Sequence, residues 1–264
     1  MYEEFYGLKE KPFTRTPDPR FLYQGRKHAE ALARLQLSVE EQDIVLLTGD
    51  IGCGKTTLSR ALIDGFDARY HPALIINPRL SPIQLLQTVA LRLGIDEEHS
   101  RHGILEGINA KLYELYEEGK RTVLIIDEAQ LIPGRETFEE IRLLTNFQLD
   151  DRNLLAVVLI GQTELKARLA KRPYRALRQR IGLQYHLGPL DEQETAEYVA
   201  HRLRVAGRET PLFDDEATAA LYYYSDGIPR LINVLAGNAL LEGFGRDAAI
   251  ITGEIVENVA EELR

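Results

Sequence analysis

The segment GDIGCGKT, Gly49 to Thr56, has the spacing G-x-x-x-x-G-K-[ST] between an apolar run, Ile44 to Thr48, and a helical pattern. A polyphosphate requires backbone N–H groups that converge with no side chain in the way, which accounts for Gly49, Gly52 and Gly54. Asp50, Ile51 and Cys53 then contribute backbone alone, and the positive end of the following helix adds to the attraction. Lys55 has the reach for β- and γ-phosphates, the Thr56 hydroxyl suits a magnesium ion, and Thr57 completes the turn. The implied ligands are ATP and Mg2+.

A second run, TVLIIDEAQ, ends a buried apolar stretch in two adjacent carboxylates. Such a pair is costly unless it faces a cation or water. Asp127 fits the acid that holds magnesium, and Glu128 fits a general base that polarises the attacking water. A base at that place implies a hydrolase rather than a nucleotide sensor. The next apolar run, Leu154 to Ile160, leads to Gln162, a candidate contact for the γ-phosphate or the water.

Two further cationic features bear on the same chemistry. The run RLAKRPYRALRQR, Arg168 to Arg180, is rich in cations within an acidic chain. It has three readings: a solvated helix face, a source of an arginine for a neighbouring subunit's ATP, or a contact for nucleic-acid phosphates. Arg178 and Arg180 are the best candidates for the arginine acting in trans. Arg230, in SDGIPR, falls in the first turn of a helix, where a cation opposes the dipole unless an anion docks there. It is the candidate γ-phosphate sensor. Cys53, close to a helix N-terminus and to Lys55, has two readings: a redox-sensitive thiolate or a small residue supplying only backbone. The six histidines show no ligand spacing, so magnesium is expected to arrive with the nucleotide.

The elements that must position these residues follow from periodicity. Short β-branched or leucine-rich runs, IVLLT, ALIIN (Ala73 to Asn77), TVLII, LLAVVLI and LQYHL (Leu183 to Leu187), alternate with helical patterns such as Ile83, Leu86, Ala90, Leu93 and Ile104, Ile108, Leu112. This predicts an α/β fold on a parallel sheet with right-handed crossovers. KPFTRTPDPR reads as extended and turning, and a helix is expected over Lys27 to Glu40. After Pro189 the alternation stops. Asp191 with Glu194 resembles a capping box for a helix to Val205, and Asp214, Pro229 and Thr252 open three more. The expected parts are 1–40, an N-terminal extension and first helix; 41–189, the α/β core; and 190–264, a small helical domain.

The 264 residues, 44% hydrophobic and 28% charged, suit a soluble globular protein. One cysteine excludes an intrachain disulfide. The acidic-aromatic start lacks the character of a secretory signal, and no apolar stretch approaches spanning length. The expected location is cytoplasmic. A net charge of −9 argues against indiscriminate nucleic-acid binding.

Together these residues resemble an AAA+ ATPase. The opening MYEEFYGLKEKPFTRTPDPRFLYQGRKHAEAL, with GDIGCGKTTL, IIDEAQ, EEIRLLTNFQ, VVLIGQTEL, LRQRI, YHLGPLD and DGIPRLIN, resembles the ExeA/GspA family of general secretion pathway ATPases from Met1 to about Asn258. The resemblance implies a P-loop NTPase of the AAA+ (ASCE) kind, with a parallel five-stranded sheet and a C-terminal helical lid. Phe21 to Leu32 would lie near the adenine, and Arg230 would be the lid sensor. It also implies a homo-oligomer with ATP between subunits and a role in assembling a secretion, pilus or polysaccharide-export apparatus, through a membrane-bound partner at the inner face of the inner membrane. Two departures stand out. Larger family members continue into a membrane segment and a peptidoglycan-binding domain, whereas this sequence stops at Arg264, and position 53 is a cysteine. The competing expectations are a regulatory ATPase of DNA transposition that binds duplex DNA, and a nucleotide-switched scaffold, against which Glu128 argues.

Overall fold

Strands that are apolar on both faces can be buried only beneath helices on both sides, and the chain solves this in sequence order. The computed structural model describes residues 1–14, 18–95, 100–150 and 152–263, so Pro17 and Arg264 lie outside the described residues. A single turn, α1 (Tyr2–Phe5), and a helix, α2 (Arg26–Glu40), precede β1 (Ile44–Gly49). There follow α3 (Lys55–Asp64), β2 (Tyr70–Ile75), α4 (Pro82–Arg92), α5 (Arg101–Glu117) and β3 (Arg121–Ile126). Next come α6 (Arg135–Leu144), β4 (Leu155–Gly161), the short α7 (Thr163–Leu169) and α8 (Arg175–Arg178), and β5 (Ile181–Leu187). The chain ends in α9 (Glu192–Val205), α10 (Asp215–Ser225), α11 (Pro229–Gly245) and α12 (Gly253–Glu262).

The five strands form one parallel sheet in the order β2-β3-β4-β1-β5. Every residue of β1 and β4 is buried. The edge strands differ from the expected runs, and their place in the sheet explains why. β2 starts at Tyr70 and stops at Ile75, where its partner β3 also ends, leaving Ile76 60% exposed beyond it. Pro72 lacks an N–H and is tolerated in β2 because the strand lies at an edge. β5 begins two residues before the expected run and alternates exposed positions with buried or half-buried ones.

Packing divides the chain into two units. One comprises Glu30–Gly49 and Ser59–Leu187, with a core of Leu46, Leu124, Val157 and Leu159 from the sheet and Leu86, Ile108, Leu112 and Ile141 from helices. Register in this unit pairs Thr48 with Gly161 and Ile126 with Leu159, so β3, β4 and β1 release their chains at one edge of the sheet.

The other unit comprises Met1–Ala29, Asp50–Leu58 and Gly188–Arg264. Its core joins the N-terminal aromatics Tyr6, Phe13 and Phe21 to Leu203, Leu221, Ile232 and Val256 of the C-terminal helices. Arg202 is buried there, donating to the Pro12 carbonyl and the Tyr198 hydroxyl. Asp191 and Glu194 form the capping box of α9, at 2.8 and 3.1 Å. Asp214 caps α10 through the Ala217 N–H, and Pro229 is the first residue of α11. Thr252 precedes α12 without a side-chain cap. Among the described residues no helix is long and apolar enough to cross a membrane.

Leu159 lies at the centre of β4 with no exposed surface. Leu159→Ala should cost about 2–5 kcal/mol through lost burial and a cavity, read as a lower urea midpoint by circular dichroism. An unchanged midpoint would mean that the sheet core does not limit stability.

Candidate functional site

The glycines of the loop after β1 are needed for both backbone angle and space. Gly52 and Gly54 have φ of +89° and +96°, in the left-handed region. A Cβ on Gly52 would lie 2.7 Å from Arg230 Cβ, and one on Gly54 3.1 Å from His28 Nε2. The Cys53 N–H closes the turn on the Asp50 carbonyl at 3.3 Å. Lys55 is 7% exposed, and its Nζ donates to the same carbonyl at 2.8 Å. Asp50 and Ile51 are exposed, and Thr56 and Thr57 sit half-buried in the first turn of α3.

Two neighbours within the same unit hold this loop. The Arg230 N–H, at the start of α11, donates to the Gly52 carbonyl at 3.2 Å, while the rest of Arg230 is exposed. His28 of α2 is buried and bonds the Cys53 carbonyl through Nε2 at 3.0 Å. A carbonyl only accepts, so Nε2 carries the proton and Nδ1, buried and without a partner, is a bare acceptor. Burial lowers the His28 pKa, outweighing the Cys53 hydrogen bond and Glu194. His28 also lines a small cleft with Phe21, Tyr23, Gly54, Thr57 and Tyr198. The Arg202 guanidinium closes that cleft, lying 4.7 Å over the Phe21 ring.

The redox reading of Cys53 does not hold. The residue has no exposed surface, and burial pushes its thiol pKa up despite Lys55. The side chain is an inert filler beneath the loop.

The unit that contains the sheet has its own polar cluster where the strands end. Asp127 follows β3, is 3% exposed, and accepts the Glu128 N–H on Oδ1 at 2.8 Å. Glu128 adopts φ 54° and ψ 35°, a left-handed conformation unusual for a residue with a Cβ. Its Oε2 accepts from Gln130 Nε2 and, at 3.4 Å, from Gln162 Nε2. The Gln162 N–H donates to Gln130 Oε1 at 3.1 Å. Gln130 was not singled out in the sequence, although it closes the same TVLIIDEAQ run; only the pairing of β3 with β4 brings it beside Gln162.

The cationic run divides into anchored and exposed side chains. Arg168 donates to the carbonyls of Ile132 and Pro133 and stacks 4.9 Å from the Phe138 ring, which ties it to its own unit. Arg178 donates to the Ala170 carbonyl at 2.9 Å, and Arg180 to the Thr145 carbonyl and hydroxyl at 3.1 and 3.0 Å. Lys171, Arg172 and Arg175 are exposed.

Residues 38–169 match the model of a family described as AAA domain. The chain is 42% identical over 260 residues to General secretion pathway protein A of Aeromonas hydrophila, covering 97% of this chain and 47% of that protein. It thus spans about half the length of that relative. Among solved structures, the ORC2 protein of Aeropyrum pernix in ADPNP–ADP complexes aligns with a TM-score of 0.71 at 19% identity, covering 96% of this chain and 72% of that one. The Drosophila ORC bound to DNA aligns at 0.72 and 18%, covering 100% and 66%. At those identities the likeness concerns the fold.

Because the fold lowers the His28 pKa below its usual 6.5, the unfolded chain binds the proton more readily. Its stabilising contribution is present above about pH 6.5 and is lost as pH falls through the folded-state value. Wild-type thermal midpoints should therefore fall between pH 7.5 and pH 5.5 more steeply than those of His28→Gln, which keeps an N–H for the Cys53 carbonyl. Equal slopes would contradict this assignment.

Proposed function

The chain belongs to the AAA domain family of P-loop ATPases, and from that membership we propose a magnesium-dependent ATPase whose nucleotide state drives assembly of a secretion, pilus or polysaccharide-export apparatus. The observation that carries the nucleotide reading is the loop: two glycines at positive φ, with Lys55 buried in the turn they form. A Cβ on Gly52 would collide with Arg230 Cβ at 2.7 Å, so the turn requires glycine there, and the hard oxygens of Thr56 and Asp127 suit magnesium. Held by Thr56 and Asp127, magnesium would offset phosphate charge.

In this reading the loop amides and Lys55 orient the triphosphate, and Gly49 to Thr57 form its cradle. Thr56 and Asp127 are the protein ligands of the metal. Glu128 takes a proton from the attacking water, and Gln162 orients that water or the γ-phosphate. Arg230 senses the γ-phosphate from the start of α11, and Phe21, Tyr23 and His28 face the adenine. The parts 1–40, 41–189 and 190–264 then act as N-terminal extension, catalytic core and lid. A homo-oligomer places an arginine of the 168–180 run against a neighbour's ATP, which requires Arg178 or Arg180 to exchange its bond to a main-chain carbonyl for a phosphate oxygen. Assembly on a membrane-bound partner, at the inner face of the inner membrane, is supported by the likeness to General secretion pathway protein A.

The test is steady-state Mg-ATP hydrolysis with and without duplex DNA, at low and physiological salt. The expected result is a rate indifferent to DNA, abolished by a metal chelator. In Lys55→Ala, the lost charged contact should weaken ATP binding roughly tenfold to a hundredfold. Strong stimulation by DNA that fades with salt would overturn the secretion reading in favour of a transposition-type regulator.

A further inference from the structure

We propose that Gln130 is a positioning residue for hydrolysis: its side-chain amide holds one oxygen of the Glu128 carboxylate and ties it to the end of β4, leaving the other oxygen for the attacking water. The inference rests on the reading of Glu128 as the base.

The orientation of the Gln130 amide is fixed by chemistry. The Gln162 main-chain N–H can only donate, and it meets Gln130 Oε1 at 3.1 Å. The other end of the amide is therefore the NH2 group, which points at Glu128 Oε2. Gln162 Nε2 approaches that same oxygen at 3.4 Å. Neither amide engages Oε1, the oxygen left to accept a proton.

Three features hold the arrangement in place. Glu128 is clamped in its left-handed conformation by the bond from its N–H to Asp127 Oδ1. Gly161 makes room for the amide, since a Cβ there would lie 2.9 Å from Gln130 Oε1 and 2.6 Å from Leu165 Cδ2. Arg168 anchors the segment after Gln130 through the carbonyls of Ile132 and Pro133, and is itself held between the rings of Phe138 and Tyr174. A residue that served only to close this turn would not need to spend its NH2 group on the catalytic carboxylate.

The experiment measures kcat and KM for ATP in Gln130→Leu and in the near-isosteric Gln130→Glu, which keeps the volume of the side chain and removes its NH2 group. Both should lower kcat about 10- to 100-fold with KM within about twofold. An unchanged kcat in either variant, or a KM that rises in step with the fall in kcat, would overturn the proposal. Glu128→Gln separates the two readings: if it hydrolyses ATP at the wild-type rate, the base assignment fails. If it is inactive while Gln130→Leu matches wild type, only the positioning role fails.

Discussion

A parallel sheet covered on both faces has no place along its central strands for a charged side chain. In this chain β1 and β4 are buried at every residue, and β3 from its second residue onward. Groups that must meet water or phosphate can therefore appear only where strands end. Gly49, Asp127 and Gln162 are the first or last residues at three such ends, and the strand order makes those strands neighbours although they are distant in sequence. The position of the site follows from the burial of the sheet, and the glycines, acids and amides refine it.

Two kinds of backbone conformation carry that refinement. Gly52 and Gly54 reach positive φ at little steric cost, and their missing side chains leave room for Arg230 and His28. Glu128 reaches the same region with a side chain attached, at a cost on the order of 1 kcal/mol or more. That conformation is offset by bonds from its N–H to Asp127 and from Gln130 to its carboxylate. The strained backbone therefore sits where a carboxylate has to project from the sheet edge.

Much of this was legible in the sequence because the signals were local. The phosphate-loop spacing, the strand ending in Asp127 and Glu128, the capping box of Asp191 and Glu194, and Pro229 opening α11 each depend on a few adjacent residues. The edges of the sheet were less legible. The apolar run marks β2 only from Ala73, three residues after the strand begins, because its half-buried, proline-bearing start lacks the pattern of a central strand. The short α7 and α8 were less legible because they have only 7 and 4 residues, too few to show a helical period. The role of Gln130 depends on the register of β3 against β4, which single-residue periodicity does not encode. Position left two readings of Cys53 open, a reactive thiolate or a small residue supplying backbone, and its burial favours the second.

On the proposed function, binding and hydrolysis are separable, the loop doing the first and the sheet edge the second. Titration of Mg-ATP against wild type and Glu128→Gln by calorimetry tests this most directly. Glu128→Gln should bind ATP within about threefold of wild type, because removing a base leaves the loop and Lys55 untouched. A loss of ATP affinity in Glu128→Gln comparable to that in Lys55→Ala would contradict it, making Glu128 part of the binding cradle.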